Sequence, residues 1–134
     1  MQIGAALLLF SALEGFAIPF LAAPNLALSA HKLSALEGVL LVALGLVWST
    51  HLNLGATSSR IAFWLLIYSS IAILAAYVIG GIRGAGNETM PLAGGAAHGS
   101  APEEMLIKVV AYSSASGLIS FWLIFWGLRI REER

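Results

Sequence analysis

Charge is what this chain has least of. Only 10% of its 134 residues are Asp, Glu, Lys or Arg, seven acidic against seven basic, while 59% are hydrophobic. A soluble domain carries roughly 25% charged residues, so the composition excludes that class. The zero net charge leaves no basic surface for nucleic acid. Cysteine is absent. That removes disulfides, thiolate metal sites and covalent C-x-x-C-H haem attachment, and says nothing about redox compartment. No catalytic triad, P-loop, HExxH or dinucleotide fingerprint can be found either.

What the chain does have is apolar length. Four segments can be drawn, at about 3–22, 31–48, 60–82 and 105–128, in one domain covering 1–134. Each approaches the ~20 residues that cross a bilayer, and backbone groups in lipid must be satisfied within the segment, so all four are expected to be helices. No Lys or Arg precedes the first apolar run, which argues against a signal peptide. The expected architecture is all-α: an up-down four-helix transmembrane bundle with a long loop, GAGNETMPLAGGAAHGSAPEE, between the third and fourth helices. Loops of that length are usually functional or disordered. Both termini then share one face. Trp48, Trp64, Trp122 and Trp126 gather towards it as an interfacial belt, and Arg60, Arg129, Arg131 and Arg134 favour a cytoplasmic placement over Lys32, Arg83 and Lys108 opposite. Two short sequences recur across the third and fourth helices, Tyr68-Ser69-Ser70 as Tyr112-Ser113-Ser114 and Phe63-Trp64-Leu65 as Phe121-Trp122-Leu123.

A third repeat carries the ionisable groups. SALEG stands at 11–15 and again at 34–38, each time inside an apolar run where a carboxylate is costly. With His31 opening the second helix, Glu37 lies ~9 Å deeper and Glu14 ~12 Å from the same face, at similar depth. Tyr77 and Tyr112 share that half. Ser34, Ala35, Gly38, Val42 and Gly45 lie on the face of His31. A strip of small residues beside a histidine leaves room for a flat macrocycle whose iron the imidazole could reach. Close helix packing is the reading that periodicity alone prefers for this strip, and for Ser113, Ser116, Gly117 and Ser120 on the fourth helix. Glu37, about 120° around from His31, points to a flank. A buried glutamate can simply be neutral and hydrogen-bonded, the reading preferred for Glu14. His51 and His98 fall in loops, where solvation accounts for them, with His98 a candidate lid residue. Tyr68 and Tyr77 are either site residues or packing residues with a satisfied hydroxyl.

The stretches LSAHKLSALEGVLLVALGLVW, AFWLLIYSSIAILAAYV, GAGNETMPLAGGAAHGSAPEE and FWLIFWGLR, in this order and spacing from Leu28 to Arg129, resemble the hydroxylaminobenzene mutases, relatives of the styrene oxide isomerases. The resemblance implies conversion of hydroxylaminobenzene to 2-aminophenol. From the isomerases it implies a trimer with haem b between subunits, ferric iron acting as Lewis acid, and an axial histidine that His31 matches. Where the isomerases have asparagine then glycine six residues on, this chain has Glu37 and Gly38. Where they have asparagine and, four residues later, tyrosine, it has Ile73 and Tyr77.

The expected protein is therefore a haem b-dependent isomerase in a bacterial inner membrane, a homotrimer acting on a small aromatic substrate. His31 is the metal ligand, with Ser34, Ala35 and Gly38 beside the cofactor and Glu37, Tyr77 and Tyr68 catalytic. The alternatives are an epoxide isomerase of styrene oxide type, or a non-enzymatic haem-binding or proton-relay subunit.

Overall fold

The computed structural model describes residues 1–48, 50–91 and 99–128. They form helix α1 (Gln2–Ala17), prolonged by a 3₁₀ turn over Ile18–Phe20, then α2 (Pro24–Val47), α3 (Ala56–Arg83), α4 (Ala101–Ser113) and α5 (Gly117–Gly127). The turn Ser114–Ser116 joins α4 to α5, and the pair reads as one span. Four spans, Gln2–Phe20, Pro24–Val47, Ala56–Arg83 and Ala101–Gly127, are long and apolar enough to cross a membrane. The fold is the expected all-helical, up-and-down arrangement of a membrane protein.

The helices begin earlier than the apolar runs do. Pro24, expected in a connector, sits in the first turn of α2, where its missing N–H costs nothing. His31 thus lies nearly two turns inside α2 instead of opening it. At the start of α4, Ser100 and Glu103 form a capping box, with Ser100 donating from its backbone N (3.0 Å) and Oγ (2.7 Å) to Glu103 Oε2. Such polar first-turn residues are invisible to a hydropathy reading although they favour helix starts.

Contacts run between sequence neighbours. Among the described residues α1 packs on α2, α2 on α3, and α3 on α4 and α5, with no contact between α1 and the α4–α5 span. Small residues set the approach in each seam. A Cβ on Gly4 would stand 2.7 Å from the Gly38 carbonyl oxygen, and one on Gly38 would stand 2.9 Å from the Gly4 oxygen. Gly81 likewise packs on Ala27, and the Ala23 N–H donates to the Gly81 carbonyl at 2.9 Å. The two YSS copies meet, because Ser69 Oγ donates to the Ser114 carbonyl at 2.7 Å. Lower in the same seam Ser120 Oγ donates to the Ala62 carbonyl at 2.6 Å. Trp48 Nε1 donates to Ser59 Oγ at 3.0 Å and its ring meets Phe63 edge-on at 5.9 Å, so the aromatic end is a packed cluster. His51, bonded to Thr50 at 2.6 Å, is exposed there as expected. His98, Arg129, Arg131 and Arg134 lie outside the described residues.

Candidate functional site around His31

His31 faces the first SALEG. Its Nδ1 lies 2.9 Å from the Ser11 carbonyl oxygen. A carbonyl only accepts, so Nδ1 carries the ring hydrogen, and the lone pair of the neutral imidazole belongs to Nε2. Ser11 Oγ is also 3.2 Å from Nδ1 and donates to the His31 carbonyl at 2.9 Å. Ser34 Oγ donates to that same carbonyl at 3.0 Å. One turn along α1, Gly15 passes so close that a Cβ there would stand 3.2 Å from His31 Cε1. Glu14 lies near enough to interact electrostatically with the ring.

The repeat thus divides its labour. Because α1 and α2 run antiparallel, the two serines converge on His31 while the two glutamates separate. With Gly4 between Gly38 and Val42, and His31 between Ser11 and Gly15, Glu14 stands level with about residue 30 and Glu37 about seven residues deeper, some ~10 Å. The expected common depth does not hold, since it took Ala22 and His31 as facing helix ends. Glu14 is only 8% exposed and Glu37 half-buried. Each keeps one buried carboxyl oxygen without a hydrogen-bond partner among the described residues, an arrangement that is costly unless something supplies a donor.

The face bearing Ser34 and Gly38 is taken by α1: Ser34 is fully buried, and Gly38 lies against Gly4 and Leu8. That face therefore packs helices and leaves no space for a macrocycle against Gly38. Ala35 is half-buried. On the other side, Ala27 against Gly81 sets the α2–α3 register and brings Tyr77 level with His31. Tyr77 is half-buried, packed on the core of Ala23, Leu26, Ala76, Ala85, Met90 and Ile107. Tyr68 is 53% exposed and lies about nine residues, ~14 Å, nearer the aromatic end. The structure thus gathers His31, Ser11, Glu14, Gly15 and Tyr77 at one level and leaves Glu37 and Tyr68 deeper. Ser11 and Gly15 are marked in the sequence only by the repeat, because nothing in a small residue's type signals contact with a ring on another helix.

Cavities lie elsewhere among the described residues. One of about 470 Å³ at the aromatic end is lined by Met1, Gly4, Leu41, Trp48, Phe63 and Ile67 among others, with the amide of Gln2 also in its wall. Another, about 800 Å³, lies along α4 between Glu88, Glu104, Lys108 and Tyr112.

The styrene oxide isomerase family model matches residues 1–129. The chain belongs to the styrene oxide isomerase family. It is also 40% identical to hydroxylaminobenzene mutase HabB of Ectopseudomonas oleovorans, over all of this chain and 82% of that one. Hydroxylaminobenzene mutase HabA of the same organism is 27% identical over 82% of this chain and 81% of its own length. No solved structure matches. Membership makes the protein an enzyme, an isomerase, and sets aside a purely haem-binding or proton-relaying subunit.

The donors around His31 fit the haem that the resemblance implies. Among the described residues no three His, Cys, Asp or Glu side chains cluster as a bare ion would need. A porphyrin brings four nitrogens of its own and asks the protein for one. His31 offers Nε2, with Nδ1–H held by a carbonyl in the manner of metal-ligating histidines.

Proposed function

We propose that this isomerase is a hydroxylaminobenzene mutase-like enzyme that rearranges a small aromatic hydroxylamine to an aminophenol within the membrane. The observation that carries the reading is the fixed His31 imidazole, in a chain 40% identical over its whole length to a named mutase. In that rearrangement the N–O bond breaks and a C–O bond forms at the ortho carbon. One hydrogen leaves that carbon and one is gained by nitrogen, so the atoms balance without a second substrate. Haem b, held by His31 Nε2 and ferric, would supply a Lewis acid for the substrate heteroatom.

The chain's own residues do the rest. The apolar helices admit the aromatic ring and exclude water, which protects a cationic intermediate from hydrolysis. Glu37, with a free buried oxygen, exchanges the proton that moves from carbon to nitrogen. Tyr77 offers a hydroxyl at the height of His31, and Tyr68 one deeper still than Glu37. An exposed Tyr68 meets substrate where a second copy closes over it, in keeping with a homotrimer. The open row of helices, with α1 and the α4–α5 span not in contact, supports such closure by neighbouring copies. The membrane would be the bacterial inner membrane, with cytoplasmic termini.

The test is to supply hydroxylaminobenzene to detergent-purified protein without nucleotide or other co-substrate and record an absorption spectrum of the same sample. Formation of 2-aminophenol with a Soret band is the expected result. Turnover without the band would remove haem and keep the mutase; neither would end the proposal. The family model favours one second reading, epoxide isomerisation, and styrene oxide in the same assay decides it.

A further inference from the structure

We infer that the Ser11–Gly15 segment of α1 is the positioning element for His31, fixing the imidazole's tautomer, height and rotation so that Nε2 alone is left to bind. The inference rests on the proposed role of His31 as ligand and concerns residues that no role has been given. Three contacts converge. The Ser11 carbonyl takes the Nδ1 hydrogen (2.9 Å), which assigns the lone pair to Nε2. The Ser11 hydroxyl, on a residue 4% exposed, ties the His31 backbone carbonyl to α1 (2.9 Å) and so fixes the ring against sliding along the seam. Gly15 forms the wall at Cε1, where even a methyl group would sit 3.2 Å from the ring.

This arrangement differs from ordinary helix packing in what it leaves out. Alanine at 15 would favour the helix, since glycine is a poor helix former, and Ser11→Ala leaves the Nδ1–H···O=C bond in place. A packing role alone predicts that Gly15→Ala alters only stability, by whatever the seam must give for a methyl group 3.2 Å from the ring, and leaves haem release and the iron–histidine stretch unchanged. A positioning role predicts a ring pushed off its line by a few tenths of an ångström, read in haem release and in the stretch. Outer partners of metal ligands typically govern affinity by 10–100-fold. Ser11 and Gly15 are positioning residues in this sense, since they act on the ligand and touch neither iron nor substrate.

The experiment uses purified full-length protein and four variants: Gly15→Ala, Gly15→Val, Ser11→Ala and His31→Ala. Haem dissociation is followed by transfer to apomyoglobin, and the ferrous iron–histidine stretch by resonance Raman. The expected result is loss of the Soret band in His31→Ala. Gly15→Ala should release haem about tenfold faster and Gly15→Val faster still. Ser11→Ala should shift the stretch while retaining haem. If His31→Ala loses haem but the Gly15 and Ser11 variants match the parent in both readouts, the positioning role is overturned and the ligand reading stands. If His31→Ala keeps an unchanged Soret band, the ligand reading falls and takes this inference with it.

Discussion

At the scale of single residues, the decisive atom is His31 Nδ1. Its hydrogen bond to the Ser11 carbonyl leaves Nε2 as the one nitrogen free for the proposed haem, so His31→Ala is expected to abolish the Soret absorbance while His51→Ala, at the exposed far end, leaves it unchanged. The two glutamates should also part company. Glu37→Gln keeps the size and hydrogen-bonding capacity and removes the acid. It should lower single-turnover rates about 10²-fold at full haem occupancy, as loss of a proton-transferring group does. Glu14→Gln alters the group beside the imidazole. It should shift the haem spectrum and cost little turnover, a protonated carboxyl and an amide being near isosteres. Equal, small effects on rate would make both glutamates structural. The sequence pointed to His31, both glutamates and Tyr77 through their isolation in apolar runs. It did not show that Glu14 lies by His31 and Glu37 a turn or two away, because that depends on the antiparallel register. A register is set by which small residues touch, and Gly4 against Gly38 cannot be read from either helix alone.

The helices themselves were legible, since ~20 apolar residues have few other fates; their starts were not. Pro24 and the Ser100–Glu103 box are polar or helix-breaking by type and helix-starting by position. The α3–α4 connection shows how much depends on such groups. Glu104, 6% exposed, accepts the Gly86 N–H at 2.7 Å, and Glu103 meets Arg83 at 3.3 Å. The exposed pair with Arg83 contributes little. Removing the buried acceptor orphans a backbone donor, so Glu104→Ala should cost about 1–3 kcal/mol, read as a lower unfolding temperature in detergent, whereas Arg83→Ala should barely move it. The α1–α2 seam gives a second test. Gly4→Val would drive a side chain into the Gly38 carbonyl and the Val42 N–H, 2.7 and 2.8 Å from its Cβ. Backbone cannot yield there, so α1 must move off α2. The expected outcome is a less stable protein that also fails to retain haem, because Ser11 moves with its helix.

For the molecule as a whole, the notable fact is an open row. Each span touches its neighbours in sequence, and among the described residues the first and last spans do not close on one another. Composition and periodicity could not have shown this, because closed and open arrangements of four apolar helices bury similar residues. A row leaves the faces bearing Leu13, Phe16, Leu36 and Val39 exposed, for lipid or for another copy. Native mass spectrometry from nanodiscs is expected to give three chains with bound haem; a monomer retaining haem and full turnover would remove the need for subunit contacts.

The seams also have a mechanical consequence. Cross-helix bonds recur at separated heights, from Ala23 to Gly81 and Trp48 to Ser59 between α2 and α3, and from Ser69 to Ser114 and Ser120 to Ala62 on the other side of α3. A rod fastened at two heights can lean but cannot spin. When a bilayer thins, helices respond chiefly by tilting, and here they must tilt together like planks of a raft. The azimuth of the imidazole is thereby uncoupled from the thickness of the lipid around it.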